Sequence, residues 1–90
     1  MKLPVGVNIT SEFTKSFRKL PKPVQVAATK KDLLFRVNPF YPSLRTHKLK
    51  GELNGFWSYS VNYSYRVLFR FINDNEVLYY DVGTHNIYRD

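Results

Sequence analysis

The chain has no cysteine, two histidines and only seven acidic residues in 90. Without cysteine there is no disulfide framework, no thiolate metal site and no thiol nucleophile. Two histidines alone cannot complete a zinc ligand set. The carboxylates, among them Glu12, Glu52, Asp81 and Asp90, are scattered and form no acidic pair. Only four glycines are present, with no glycine-rich phosphate loop and no Gly-x-Ser-x-Gly elbow. No apolar run approaches the roughly 20 residues that span a bilayer, and Met1 to Thr10 lack the apolar stretch of a secretory leader. These absences lead to the expectation of a cytoplasmic protein that needs no metal or other cofactor and no membrane.

What is present is positive charge and aromatic mass. Fourteen Lys and Arg give a formal net charge of +7. Such a surface attracts polyanions or an acidic protein partner. Seven Phe, seven Tyr and one Trp supply apolar area at a density far from that of disordered chains. Ninety residues are expected to form one domain over residues 1–90, with a single core.

The pattern changes once along the chain. Val5, Val7 and Ile9 alternate with Gly6 and Asn8, which predicts a short strand. Thr10 or Ser11 can cap a helix whose apolar face is Phe13, Phe17 and Leu20. Pro21 and Pro23 end it and open a second helix, from about Pro23 to Val37. Its apolar side is Val24, Ala27, Leu34 and Phe35, while Lys30, Lys31 and Asp32 are expected in water. Asn38-Pro39 stops it, and residues Phe40 to Thr46 read as a loop.

From Phe56 the period becomes two. Trp57, Tyr59, Val61 and Tyr63 form one alternating run, Tyr65, Val67, Phe69 and Phe71 a second, and Val77 to Val82 a third after the turn Asn73-Asp74-Asn75. The fold class is therefore α+β: a strand, a helical hairpin, then an antiparallel meander, with both helices on one face of a twisted antiparallel sheet.

With carboxylates scarce, any catalysis falls to His, Arg, Lys and Tyr. That palette suits metal-free RNA cleavage, in which a 2′-hydroxyl loses a proton, a phosphorane's charge is stabilised and a 5′-oxygen gains a proton. Two stretches concentrate it. One is Thr46-His47-Lys48-Leu49-Lys50-Gly51, continuing through Gly55-Phe56-Trp57-Ser58; the other is Tyr65-Arg66, closed by Gly83-Thr84-His85-Asn86-Ile87-Tyr88-Arg89.

In order and spacing, from about Thr46 to Tyr88, these stretches resemble the core of the RelE/ParE superfamily of toxins, and most of all its RelE/YoeB/YafQ-like mRNA interferases. There a Lys-Leu-x-Gly segment precedes a Gly-x-Trp or Gly-x-Tyr strand, a Tyr-Arg starts the next, and Gly-x-His or Gly-x-Arg ends the last. The resemblance implies a type II toxin that cuts mRNA on the ribosome. It also implies an acidic antitoxin as partner, ribosomal RNA as a contact, and a heterotetramer or larger complex with the antitoxin.

The same resemblance assigns the residues. Arg66 matches the arginine that holds the scissile phosphate, His85 the general acid, His47 a general base and Tyr88 a carboxy-terminal tyrosine that stacks on a base or positions the substrate. Lys48, Lys50, Arg70 and Arg89 are candidate contacts to RNA or the ribosome. The plainer readings are Arg66 as a solvated strand residue, His85 as a structural histidine, His47 as an RNA or antitoxin contact, Tyr88 as part of a fraying tail, and Lys48 and Lys50 as a solvated loop. The chain departs from RelE on the first meander strand, where Trp57 and Tyr59 stand in place of two lysines, and from the YafQ-like branch where Ser60 stands in place of a histidine. Trp57 reads as core. Two other functions share this fold: a ParE-like inhibitor of DNA gyrase without nuclease chemistry, and a degenerate toxin retained as a binding module.

Overall fold

Thr10 ends a strand and starts a helix with one hydroxyl. Its Oγ1 accepts from the Phe13 N–H at 3.0 Å and donates to the Tyr80 carbonyl at 2.8 Å, so the cap is also a tie to the sheet. In the computed structural model, which describes residues 5–88, the strand is β1 (Gly6–Ile9) and the helix α1 (Ser11–Lys19). Next come α2 (Lys22–Val37), β2 (His47–Lys48), β3 (Trp57–Ser60), β4 (Arg66–Asn73) and β5 (Glu76–Gly83). Single turns of 3-10 helix lie at Pro42–Leu44, Gly51–Leu53 and His85–Tyr88. No helix among the described residues is long and apolar enough to cross a membrane.

The five strands form one sheet in the order β1-β5-β4-β3-β2. From β2 to β5 the pairing is antiparallel, as the turn signals predict. The sheet as a whole is mixed, because β1 pairs with β5 in parallel, Val7 opposite Val77. The helical hairpin carries the chain to the far edge of the sheet. The meander then steps back until β5 runs beside β1 in the same direction, and a crossover of that kind is what parallel pairing requires.

Three local expectations also change. The first meander strand stops at Ser60 instead of reaching Tyr63, because the Asn62 Oδ1 accepts from the N–H groups of Ser64 and Tyr65, both at 2.9 Å, and closes a turn. A two-residue strand, His47–Lys48, follows directly on the loop ending at Thr46 and extends the sheet. On α2 the buried line is Val24, Ala28 and Phe35, with Ala27 and Leu34 only half-buried. Asp32 lies on that line one turn before Phe35, and so it does not face open water.

Phe35 is fully buried and fastens the helical layer to the sheet. Its ring stacks on Tyr59 at 4.8 Å and meets Phe69 and Tyr79 edge-on at 5.0 and 5.6 Å. Tyrosines bring hydroxyls into this core, and each is satisfied. The Tyr59 hydroxyl donates to that of Tyr79 (3.1 Å), Tyr79 donates to Asp32 (2.8 Å), and Arg36 pairs with the same carboxylate (3.0 Å). Burial pushes the ionisation of both phenols well above the ordinary tyrosine range.

Tyr79→Phe is expected to destabilise the fold by about 1–3 kcal/mol, because it strands the buried Tyr59 hydroxyl; Tyr59→Phe, which leaves Tyr79 bonded to Asp32, costs less. Urea denaturation of both variants checks the order. The unfolded chain releases phenolic protons near pH 10 while the native pair retains them. Stability contributed by the pair is thus intact below about pH 9 and declines above pH 10, by roughly 1.4 kcal/mol per pH unit for each tyrosine. A decline of equal slope in the Tyr59→Phe/Tyr79→Phe double variant would count against this account.

Candidate active site

Alternation along β3 and β4 sends their side chains to two different surfaces. Tyr59, Val67 and Phe69 turn toward the helices and are buried. Ser58, Ser60, Arg66, Leu68 and Arg70 occupy the intervening positions and turn to the opposite face. The strand register brings Ser60, Arg66 and Gly83 into one row across three strands. The site-facing positions of the first meander strand are therefore Ser58 and Ser60. Trp57 packs with Phe40 and Phe71, and Tyr59 with Phe35, on the covered side.

Arg66 is the centre of the cluster. Its Nη2 donates to His85 Nε2 at 3.3 Å. An arginine has only donors, so in this contact the imidazole nitrogen acts as acceptor. The Arg66 Nε is buried and has no hydrogen-bond partner among the described residues. The guanidinium lies at the foot of a concave surface, and phosphate oxygens match the fork of an arginine. The concavity is lined by Tyr63, Ser64, Arg66, Thr84 and His85.

The turn His85–Tyr88 folds back over this face. The rings of His85 and Tyr88 meet edge-on at 6.2 Å, and the Tyr88 hydroxyl shares a 2.6 Å hydrogen bond with Ser58, a fully buried residue. Gly83 makes the fold-back possible, since a Cβ there would lie 2.7 Å from Ile87 Cγ2. Three of the sequence-derived residues, Arg66, His85 and Tyr88, thus come together.

The others are placed differently. His47 pairs in register with Ser58, and its Nδ1 bonds the Arg45 carbonyl at 2.9 Å. Sheet geometry puts its Cα roughly 12 Å from that of Arg66, two strands across and two residues along, so the two side chains flank a gap instead of touching. The Lys48 ammonium lies 5.8 Å over the Trp57 ring, on the side away from Arg66. Lys50 is exposed beside the Gly51–Leu53 turn. Arg70 shares the Arg66 face and covers Phe56 at 5.6 Å. Arg89 lies outside the described residues. Among the described residues no three His, Asp or Glu side chains are grouped so as to hold a metal ion.

Ser58 escapes a reading of the sequence by residue type, since one serine among several carries no signal. Its placement opposite Tyr59 in the alternation is the clue that was available.

Comparison with known proteins extends this geometry. The family model described as the RelE-like toxin of the type II toxin–antitoxin system HigB matches residues 6–85. No curated protein matches the chain by sequence. Among solved structures, the toxin–antitoxin complex RelBE2 from Mycobacterium tuberculosis is similar with a TM-score of 0.76 at 24% identity, over 91% of this chain and 99% of that one. YafQ from Escherichia coli gives 0.74 at 14% identity, over 96% and 99%. The archaeal RelE–RelB complex from Pyrococcus horikoshii gives 0.72 at 17%, over 90% and 94%. At these identities the structural likeness speaks for the fold.

Ser58→Ala is expected to release the Tyr88 hydroxyl and loosen the last turn while costing the whole fold only about 1 kcal/mol. The Ile87 amide, which donates to the Thr84 carbonyl at 3.0 Å, should then exchange its hydrogen roughly fivefold to tenfold faster. Unchanged exchange at Ile87 would mean that the Tyr88–Ser58 bond does not hold the turn.

Proposed function

Because the chain belongs to the RelE-like toxins of type II toxin–antitoxin systems, we propose that it stops translation by cutting mRNA bound on the ribosome, with side chains alone supplying the chemistry. The observation that carries this reading is the Arg66–His85 contact at 3.3 Å beside an unpaired guanidinium nitrogen. A bound phosphodiester would take over the donors of Arg66 and free His85 Nε2 to carry a proton. The 2′-hydroxyl then attacks phosphorus, a bond to O2′ forms and the bond to O5′ breaks. Arg66 offsets the charge that gathers on the non-bridging oxygens. His85 gives its proton to the departing 5′-oxygen, and His47, across the gap, receives the proton of the 2′-hydroxyl. The products are a 2′,3′-cyclic phosphate and a 5′-hydroxyl. Tyr88, steadied by Ser58, offers its ring to a neighbouring base.

The surface bears charge for two partners. A cognate acidic antitoxin would cover the cations of this face, in a heterotetramer or larger assembly. Ribosomal RNA would meet Lys50 and Arg70, and Lys48 where its ammonium leaves Trp57. The reading places the protein in the cytoplasm, as one domain over residues 1–90, with no cofactor.

Preassembled ribosome–mRNA complexes treated with the purified protein should yield fragments with a 5′-hydroxyl and a cyclic or 3′-phosphate, and a single-turnover cut should survive EDTA. Free RNA should be cut poorly, since a small basic surface does not by itself impose in-line geometry. His85→Ala should lower the cutting rate by roughly 10²–10⁴, and Arg66→Lys should be substantially impaired, because an ammonium cannot form the bidentate pair. Inhibition of gyrase supercoiling by a protein that leaves ribosomal mRNA uncut would replace this reading with the ParE-like one.

A further inference from the structure

Arg66 stands between two concavities, and only one of them contains His85. The other, of about 360 Å³, runs from Ser60 and Asn62 toward α2 and the loop before β2, where Lys31, Ser43 and Arg45 line it. Three cations border it (Lys31, Arg45 and Arg66), and no carboxylate does among the described residues. Lys31 reaches the Ser43 hydroxyl at 3.3 Å. Arg45 has a φ of 50°, left-handed backbone that an arginine rarely adopts, and it is the one non-glycine residue so placed among those described. Its carbonyl is the group bonded by the candidate base, His47.

Tyr63 borders both concavities and is 97% exposed. The backbone that carries it is held in a turn. The two bonds to Asn62 Oδ1 and a third, from the Val61 N–H to the Tyr65 carbonyl at 2.8 Å, brace the turn beneath it. An aromatic ring exposed at the lip of a basic hollow contributes nothing to the core and leaves its face open for stacking.

The geometry points to a second nucleotide subsite: the hollow of Lys31, Arg45, Ser60 and Asn62 takes the phosphate immediately 5′ of the scissile one, and Tyr63 stacks on the base of the nucleotide that bears the attacking 2′-hydroxyl. The polarity rests on the function proposed above. If His85 protonates the leaving 5′-oxygen, the 3′ nucleotide lies on its side of Arg66, and the strand entering from 5′ must cross the opposite side. His47, tied to Arg45, lies on that same side, where the 2′-hydroxyl has to lose its proton.

Binding can be read apart from chemistry, because a deoxydinucleotide has no 2′-hydroxyl to attack. The probes are a thymidine dinucleotide with and without a 5′-phosphate, titrated by NMR into the isotope-labelled chain. The 5′-phosphate should tighten binding roughly tenfold and shift the signals of Lys31, Arg45 and Asn62. That gain should vanish in Arg45→Asn, chosen because asparagine tolerates the left-handed backbone, and persist in His85→Ala. Tyr63→Leu, at a site outside the core, should weaken both probes roughly tenfold.

On ribosomes carrying message, Arg45→Asn should slow the single-turnover cut at saturating toxin. A gain from the 5′-phosphate that is absent, or that survives Arg45→Asn, overturns the subsite, and so does failure of either probe to bind at millimolar concentration. If Arg45→Asn weakens only ribosome affinity, the hollow meets ribosomal RNA; if it weakens only binding to an acidic antitoxin, the hollow is a protein-docking surface. Either result overturns the assignment to message while the cleavage reading stands. No cleavage by the unsubstituted chain removes the proposed reaction, and with it the 5′ polarity, whatever the dinucleotides show.

Discussion

Ser58 and Tyr59 are adjacent on β3 and face opposite surfaces, and everything else in the molecule follows from keeping them so. Tyr59 enters the ring cluster around Phe35, while Ser58 receives Tyr88 on the far side. A strand that slipped by one residue would expose the aromatics and bury the polar set. The core therefore does more than stabilise. By fixing Tyr59, Val67 and Phe69 against the helices, it fixes Arg66 in the row with Ser60 and Gly83, from which the guanidinium meets His85.

That division explains which features were legible in the sequence. Period-two alternation of Trp57 to Ser60 and of Tyr65 to Phe71 is a direct imprint of a two-faced sheet, and the Thr10 cap with Phe13 and Phe17 is an equally local signal for α1. The resemblance to known toxins pointed to Arg66, His85 and Tyr88, and the fold brings these into contact. Asp32 was misread for a physical reason. Its charge argues for water, but a carboxylate that accepts from Tyr79 and pairs with Arg36 can sit at the rim of a core. The parallel pairing of β1 depends on the path of the whole chain, which no window of sequence contains. Lys31, Arg45 and Tyr63 were invisible as a group, because they come from a helix, a loop and a turn and meet only through the sheet.

The Tyr59–Tyr79–Asp32–Arg36 chain shows how a small cysteine-free domain can afford a polar interior. Each hydroxyl donates to the next group, and the two charges, Asp32 and Arg36, pair with each other at 3.0 Å. The aromatic rings contribute burial, while the hydroxyls limit which packing is satisfied. A helix α2 rotated about its axis would break the bond to Asp32 as it withdrew Phe35 from the ring cluster. Polar satisfaction and burial thus select the same packing.

Stability on the covered face is what permits strain on the open one. Among the described residues, Arg66 keeps a buried donor without a partner, Arg45 keeps a left-handed backbone, and Tyr63 keeps its ring in water; none of the three is a choice that folding alone would favour. On the proposed function, phosphate oxygens would meet donors of Arg66 and Arg45, and a base would cover the Tyr63 ring. The net charge of +7 acts in the same sense, because like charges on a small domain repel until a polyanion is bound. Ligand binding to the native state then adds stability by mass action. An acidic protein that offers carboxylates to the same cations draws on the same unmet electrostatics. On the proposed function, competition between such a protein and RNA would need no conformational change in the domain, only a surface that remains unsatisfied when alone.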